Sequence, residues 1–222
     1  MKKQEIAISV NDLHVYYRDM NRFSLKKGGL KARGSGKIFK AVKGVSFEVP
    51  KGQILGICGR NGSGKSTLLR AISGIFSADK GSINLHGNSI SLLSIGVGFQ
   101  KQLTGYENIF LSGMLLGYSK EQIEEKVKDI IEFSELGDFI YKPVRSYSSG
   151  MYSKLAFSIT AILETDIMLI DEVLSVGDIH FKEKSYNKMK ELMSDDKRTV
   201  VIVSHNSKTI IELCDKVIWL HD

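Results

Sequence analysis

Cysteine is scarce in this 222-residue chain, and long apolar runs are missing altogether. The two cysteines, Cys58 and Cys214, lie inside apolar segments and show neither Cys-x-x-Cys nor histidine spacing. That excludes the usual structural-metal patterns and fits buried thiols in a reducing compartment. No stretch approaches the roughly 18 uninterrupted apolar residues that a membrane-crossing helix needs. The opening "MKKQEIAISV" has no apolar core of a secretory signal, so a cytoplasmic protein is expected. Internal repeats and low-complexity tracts are absent too. Apolar residues at 42% and charged residues at 25% are ordinary for a globular protein, and the length supports one sizeable core or at most two small domains.

The charge is unevenly placed. Net charge is +6, and between Arg18 and Lys43 nine Lys/Arg face a single acid, Asp19. Residues 18–40 read as a long basic insertion between early strands. Two readings stay open for it: a surface drawn to phosphates or an anionic membrane face, or a merely solvated loop.

Short runs rich in β-branched residues recur at 6–10, 54–58, 167–170, 200–203 and 217–220, and read as strands buried on both faces. Helical patterns lie between them. The clearest starts with a Ser-x-x-Gln capping box at Ser119 and Gln122, carries Ile123, Val127, Ile130 and Ile131, and is expected to end at Gly137. Strands alternating with helices predict an α/β fold with a mostly parallel sheet. Residues 45–52, "VSFEVPKG", alternate strictly and read as a half-exposed antiparallel strand.

Chemistry enters at "GRNGSGKST", residues 59–67, which follows one strand and opens an apolar helix. Gly59, Gly64, Lys65 and Ser66 match the P-loop pattern Gly-x-x-x-x-Gly-Lys-Ser/Thr. Glycines let backbone N–H groups curl into an anion nest, which Asn61, Gly62, Ser63 and Thr67 complete. Lys65 brings a full charge to the β- and γ-phosphates, and the Ser66 hydroxyl can ligate Mg²⁺. "IMLIDE" then carries Asp171 to a strand end, where a carboxylate can hold the Mg²⁺ shell. Glu172 is placed to orient, or take a proton from, an attacking water. "VVIVSH" ends a further strand with His205, a candidate for stabilising charge on the γ-phosphate.

A second phosphate-like feature lies about ninety residues beyond the first. In "YSSGM", Ser148, Ser149 and Gly150 precede a helix expected from about Met151 and anchored by Leu155, Ile159 and Ile162. A helix start offers free N–H groups and a partly positive dipole to an anion. One chain has no use for two competing sites, so two half-sites completed head to tail by a second copy are one reading. A plain helix cap is the other, and spacing alone does not separate them.

The ordered set "GRNGSGKST", "GFQ", "YSSGM", "IMLIDE", "SVGD" and "VSHN" resembles the nucleotide-binding subunit of ABC transporters, from about Ile6 onward. The resemblance implies a single domain over 1–222: a P-loop NTPase core, an antiparallel β part and a helical signature part at about 100–160. It implies that Ser148, Ser149 and Gly150 form the signature that reaches the partner's ATP, and that Gln100 is the glutamine touching Mg²⁺ and coupling to a membrane subunit. Asp178 then lies at the dimer seam, His205 is the switch histidine, and Tyr17 stacks on adenine, with Tyr16 and Phe39 as rivals.

Two departures narrow the resemblance. Tyr147, Ser149 and Met151 replace the usual residues of Leu-Ser-Gly-Gly-Gln, and the stretch from Gln100 to "LTGYENI" is short. With the basic insertion, these features resemble the subgroup that exports lipid-linked polysaccharides: O-antigen, capsule or teichoic acid. That subgroup implies ATP and Mg²⁺, a homodimer, a separate integral-membrane permease, a lipid-linked glycan as cargo, no nucleic acid, and a place at the cytoplasmic face of the inner membrane. Some O-antigen members carry a further carbohydrate-binding domain. Here the sequence stops after "VIWLHD", so either the cargo dispenses with that domain or the sequence is a piece of a longer chain. A P-loop kinase or GTPase would share residues 59–67 but have no use for "YSSGM". A non-transport ABC ATPase would usually join two nucleotide domains, and a binding-only regulator would be expected to lack Lys65 or Glu172.

Overall fold

The computed structural model describes residues 4–18, 38–93, 98–171, 178–195, 197–204 and 207–221. Glu172 and His205 lie outside the described residues, as does the core of the basic insertion, 19–37.

The chain opens with two long strands, β1 (Ile6–Arg18) and β2 (Ile38–Pro50), paired antiparallel. β3 (Ile54–Gly59) leads through the P-loop into α1 (Lys65–Ile72), and β4 (Lys80–Asn84) and β5 (Ile90–Leu93) follow. Then come three helices, α2 (Gly105–Leu115), α3 (Lys120–Ser134) and α4 (Ser149–Ile162), with short 3-10 turns at Gly137–Tyr141 and Val144–Ser146. β6 (Ile167–Asp171), α5 (Ile179–Met193), β7 (Thr199–Val203), α6 (Ser207–Leu213) and β8 (Lys216–Leu220) complete the order. No helix among the described residues is long and apolar enough to cross a membrane.

Two sheets result. The larger runs β5-β6-β7-β3-β8, and each of its pairings is parallel. The smaller, β2-β1-β4, is antiparallel. Residues 45–50 therefore behave as their alternation predicts, as the end of β2, while Lys51 and Gly52, expected in the same strand, form a turn. Central strands β6 and β7 are buried along nearly their whole length, because helices cover a parallel sheet on both faces.

Two expected strands differ. The 6–10 run is buried, but it belongs to the antiparallel sheet and is the start of a strand reaching Arg18. A register shift between Val10 and Leu13, with Asp12 at φ 43°, breaks the apolar pattern that would have revealed its length. The 217–220 run is not buried on both faces. Among the described strands, β8 is hydrogen-bonded only to β3 and lies at the sheet edge, and Trp219 is 65% exposed.

α3 has its full capping box: Gln122 N–H donates to Ser119 Oγ at 3.3 Å, and Ser119 N–H donates to Gln122 Oε1 at 2.8 Å. It ends at Ser134 rather than Gly137, because Glu135 already takes the left-handed conformation, φ 56°, that terminates the helix. Buried Ile109, Ile123, Ile130, Leu155 and Ile159 bind α2, α3 and α4 into a cluster of their own.

Candidate functional site: a nucleotide cradle and an open helix start

Strand β3 delivers the chain to Gly59, where the backbone curls into α1. Gly64 caps that helix at φ 90°, and a Cβ there would collide with the Ala41 carbonyl oxygen, so only glycine fits. The curl turns the first N–H groups of α1 toward one concave spot, where the helix dipole favours an anion. Lys65 is buried, and its Nζ donates to the carbonyls of Gly59 and Arg60, 2.8 Å each. This closes the loop into a ring, with the ammonium held where incoming phosphate can draw it. Ser63 Oγ is buried there without a hydrogen-bond partner, a polar atom ready for a ligand. Asn61 and Gly62 stand exposed on the rim.

The end of β6 brings Asp171 to the same place: Ser66 Oγ donates to Asp171 Oδ1 at 3.3 Å. Two adjacent hard oxygen donors beside an anion nest suit Mg²⁺, which takes few protein ligands and completes its shell with water and phosphate. Gln100 is not brought into contact with this pair. Its side chain is exposed, while its backbone N–H donates to buried Asn108 Oδ1 at 2.7 Å. Asn108 Nδ2 in turn donates to the carbonyls of Gln100 at 3.0 Å and Thr104 at 2.8 Å, so one side chain pins the Gln100 segment to α2. Sequence reasoning missed this role, since a lone Asn on a helix gives no signal of burial.

Tyr17 and Phe39 pair across β1 and β2 and stack with centroids 6.4 Å apart at 28°. Tyr17 Oη and Thr67 Oγ1 are 3.1 Å apart, which sets this aromatic shelf beside α1. Tyr17 is 41% exposed, leaving a face free for a flat ligand. Tyr16 is engaged elsewhere, hydrogen-bonded to His14 at 3.1 Å with Lys40 over its ring.

At the start of α4, Ser148 is the cap: its Oγ accepts from Met151 N–H at 3.2 Å. The helix therefore begins at Ser149. Leu155 and Ile159 are buried, as their spacing predicts, and Ile162 packs partly buried against the same cluster. Tyr147 is a strut. Its hydroxyl donates to the Phe139 carbonyl at 2.8 Å, and burial pushes its pKa up to about 12. Ser149 is exposed, and a Cβ on Gly150 would meet only Ser148 Oγ, at 3.8 Å. Among the described residues, nothing demands glycine at 150. Asp178 caps α5 by accepting from Phe181 N–H at 3.0 Å, and its other oxygen lies 2.7 Å from Lys154 Nζ on α4.

Alongside Gln100 a cavity of about 130 Å³ opens between the β5 edge, α2 and α4, lined by Ile75, Leu92, Phe99, Leu115 and Ile159. The buried Ser112 hydroxyl at its wall has no hydrogen-bond partner.

Comparison with known proteins agrees with this geometry. A profile described as "ABC transporter" matches residues 42–175. The O-antigen export system ATP-binding protein of Klebsiella pneumoniae is 44% identical over 187 residues, covering 84% of this chain and 76% of that one. The teichoic acids export ATP-binding protein of Bacillus anthracis is 45% identical over 186 residues, 84% of this chain but only 34% of its own length. In fold, the chain is similar to a dimeric ATP-binding cassette in a post-hydrolysis state bound to ADP and Pi, with TM-score 0.72, 20% identity, and coverage of 96% and 94%. Cradle, aromatic shelf, capped helix start and relatives converge: this chain belongs to the ABC transporter family, as an ABC-type ATPase.

Proposed function

We propose that this chain is the ATPase of an exporter of a lipid-linked polysaccharide, working as two copies against a separate membrane-embedded permease. ATP binds with its phosphates in the 59–67 cradle and its adenine on Tyr17 and Phe39. Ser66 and Asp171 would hold Mg²⁺, joined by the Gln100 amide, which stands apart from that pair here, and the ion would supply charge to offset that of the phosphates. Glu172 orients the attacking water, and His205 steadies the γ-phosphate. Each nucleotide is completed by Ser148, Ser149 and Gly150 of the second copy, with Asp178 at the seam. Closure follows from contacts that only the ATP-bound pair makes, and hydrolysis removes them.

Gly150 carries the two-copy reading. A helical glycine costs about 0.5–1 kcal/mol relative to alanine, and none of the described residues of its own chain needs the missing side chain. A phosphate approaching from outside does need it. The cavity beside Phe99 is the proposed seat of the permease, since Asn108 makes the adjoining segment move with α2. The glycan as cargo is supported by the names of relatives that export O-antigen and teichoic acids. The proposed location is the cytoplasmic face of the inner membrane, with 1–222 acting as one unit and the basic insertion near lipid.

Light scattering tests the central point. The Glu172→Gln chain is expected to be a monomer alone and a dimer with ATP–Mg²⁺, and adding Ser148→Arg is expected to abolish the dimer. Dimerisation unaffected by Ser148→Arg would overturn the assignment of the α4 start.

A further inference from the structure

Besides its apolar packing, the signature helix α4 is tied to its neighbours α3 and α5 by a cluster of charges. Lys154 Nζ lies 2.7 Å from Asp178 Oδ2 and 3.4 Å from Glu135 Oε2. The other Glu135 oxygen is 2.8 Å from Lys184 Nζ, which also donates to the Phe133 carbonyl at 3.0 Å. His180 Nδ1 stands 3.8 Å from that same oxygen. The end of α3, the middle of α4 and the start of α5 are thereby joined through two carboxylates and two lysines. Beneath them Phe133, Phe157 and Phe181 pack on one another, with Lys154 5.0 Å above the Phe181 ring and Lys184 4.6 Å above that of Phe133.

Exposed single ion pairs contribute little, but this one differs in three respects. The Lys154 side chain is only 14% exposed, so its few rotamers are held by packing. Asp178 is shared: one oxygen caps α5 and the other meets Lys154, so the lysine fixes the cap. Glu135 sits in a left-handed conformation that glycine adopts freely and other residues adopt at a cost of about 1–2 kcal/mol. Local folding alone favours glycine at 135, and what glycine lacks is the carboxylate. Position also matters. Lys154 lies four residues after Gly150, so the stripe of α4 that presents Gly150 also presents the lysine.

From this geometry we propose that Glu135 and Lys154 are positioning residues: a charged relay that locks the start of α4 to Asp178, so that both seam elements meet a second copy as one rigid edge. The proposal rests on the two-copy reading above. It adds that the two elements one copy offers the other are set by a carboxylate and a lysine that act through Asp178 rather than on the nucleotide. Hydrogen bonding by Lys154 and by Phe181 N–H holds the Asp178 carboxyl at about 2. Lys184, then Lys154, hold Glu135 below its usual range. Burial opposes the Lys154 charge, yet its bonds to Asp178 and Glu135 raise its pKa on balance.

Glu135→Gly separates a positioning role from a structural one. Relief of backbone strain is expected to leave the melting temperature unchanged or raised. Maximal ATP hydrolysis is expected to fall on the order of 10- to 100-fold, the scale of a misplaced functional group, with ATP affinity of the single chain unchanged. Lys154→Met is expected to match it, Lys154→Arg to restore most activity, and the Glu135→Gly/Lys154→Met pair to be no worse than either alone. Wild-type hydrolysis by Glu135→Gly, or a loss that follows a drop in melting temperature, would overturn the relay. Hydrogen exchange gives a readout that needs no second copy: amides at 149–154 and 178–184 are expected to gain exchange together in either variant. If they gain it separately, the relay fails. If they gain it together while Glu172→Gln never dimerises with ATP, the two-copy reading fails and the relay stands.

Discussion

The starts of α1 and α4 look alike in sequence, each a helix entered through serine and glycine, yet they are built on opposite terms. At α1 the chain completes its own cradle: Gly64 is obligatory because of Ala41, and Lys65 closes the loop through Gly59 and Arg60. At α4 the chain supplies a cap, Ser148, and then a glycine whose added Cβ would meet, among the described residues, only Ser148 Oγ at 3.8 Å. On the proposed two-copy reading, the contrast separates a site that binds for itself from one that binds for another copy. A glycine required by its neighbours reports on the fold, whereas a glycine required by none of them reports on something that arrives.

Five substitutions sharpen or break the comparison. The largest effect belongs to the cradle's chemistry: Glu172→Gln is expected to slow hydrolysis about 10²- to 10⁴-fold with ATP still bound, and a wild-type rate would remove Glu172 from the base role. Next, Lys65→Ala removes a charge-assisted contact and is expected to weaken ATP about 10- to 150-fold in a binding titration. Unchanged affinity would mean the α1 end is not the primary phosphate site. Tyr17→Ala is expected to cost about fivefold in affinity, the low end for a lost base–aromatic stack because Phe39 remains. The same loss from Tyr16→Ala would transfer the adenine to the other face of β1. Smallest is Gly150→Ala, expected to stabilise the single chain by about 0.5–1 kcal/mol in a melt while weakening its ATP-dependent dimer. Destabilisation would show that glycine serves the fold after all.

What sequence reveals follows from how local each feature is. The P-loop, the Ser119 capping box and the buried β6 and β7 are contiguous patterns whose physics is settled within a few residues, and the parallel sheet follows from their alternation. The relay is invisible for the opposite reason. Glu135, Lys154 and Asp178 are ordinary charged residues far apart in the chain, brought together by the packing of α3, α4 and α5, three phenylalanines among it. A faint signal existed, since a helix followed by Glu-Leu-Gly puts an acid where glycine is preferred. The length of β1 was hidden by its bulge, and the exposure of β8 by an apolar run that looks the same at a sheet edge as in its middle.

The strand order also sets a timetable for synthesis. β3, which carries the nucleotide loop, has β7 and β8 as its two neighbours, with about 140 residues made between Gly59 and Thr199. At ~5–20 residues per second the ribosome takes on the order of ten seconds to bridge that gap. During that interval β3 has neither of its partners, and the nascent chain must keep a short apolar strand from pairing wrongly. The antiparallel β1–β2 pair is complete long before, so it is the natural early shelter for the strand that follows it. A chain stalled before Thr199 is thus expected to hold its first sheet, and to bind nucleotide only after the last strands emerge.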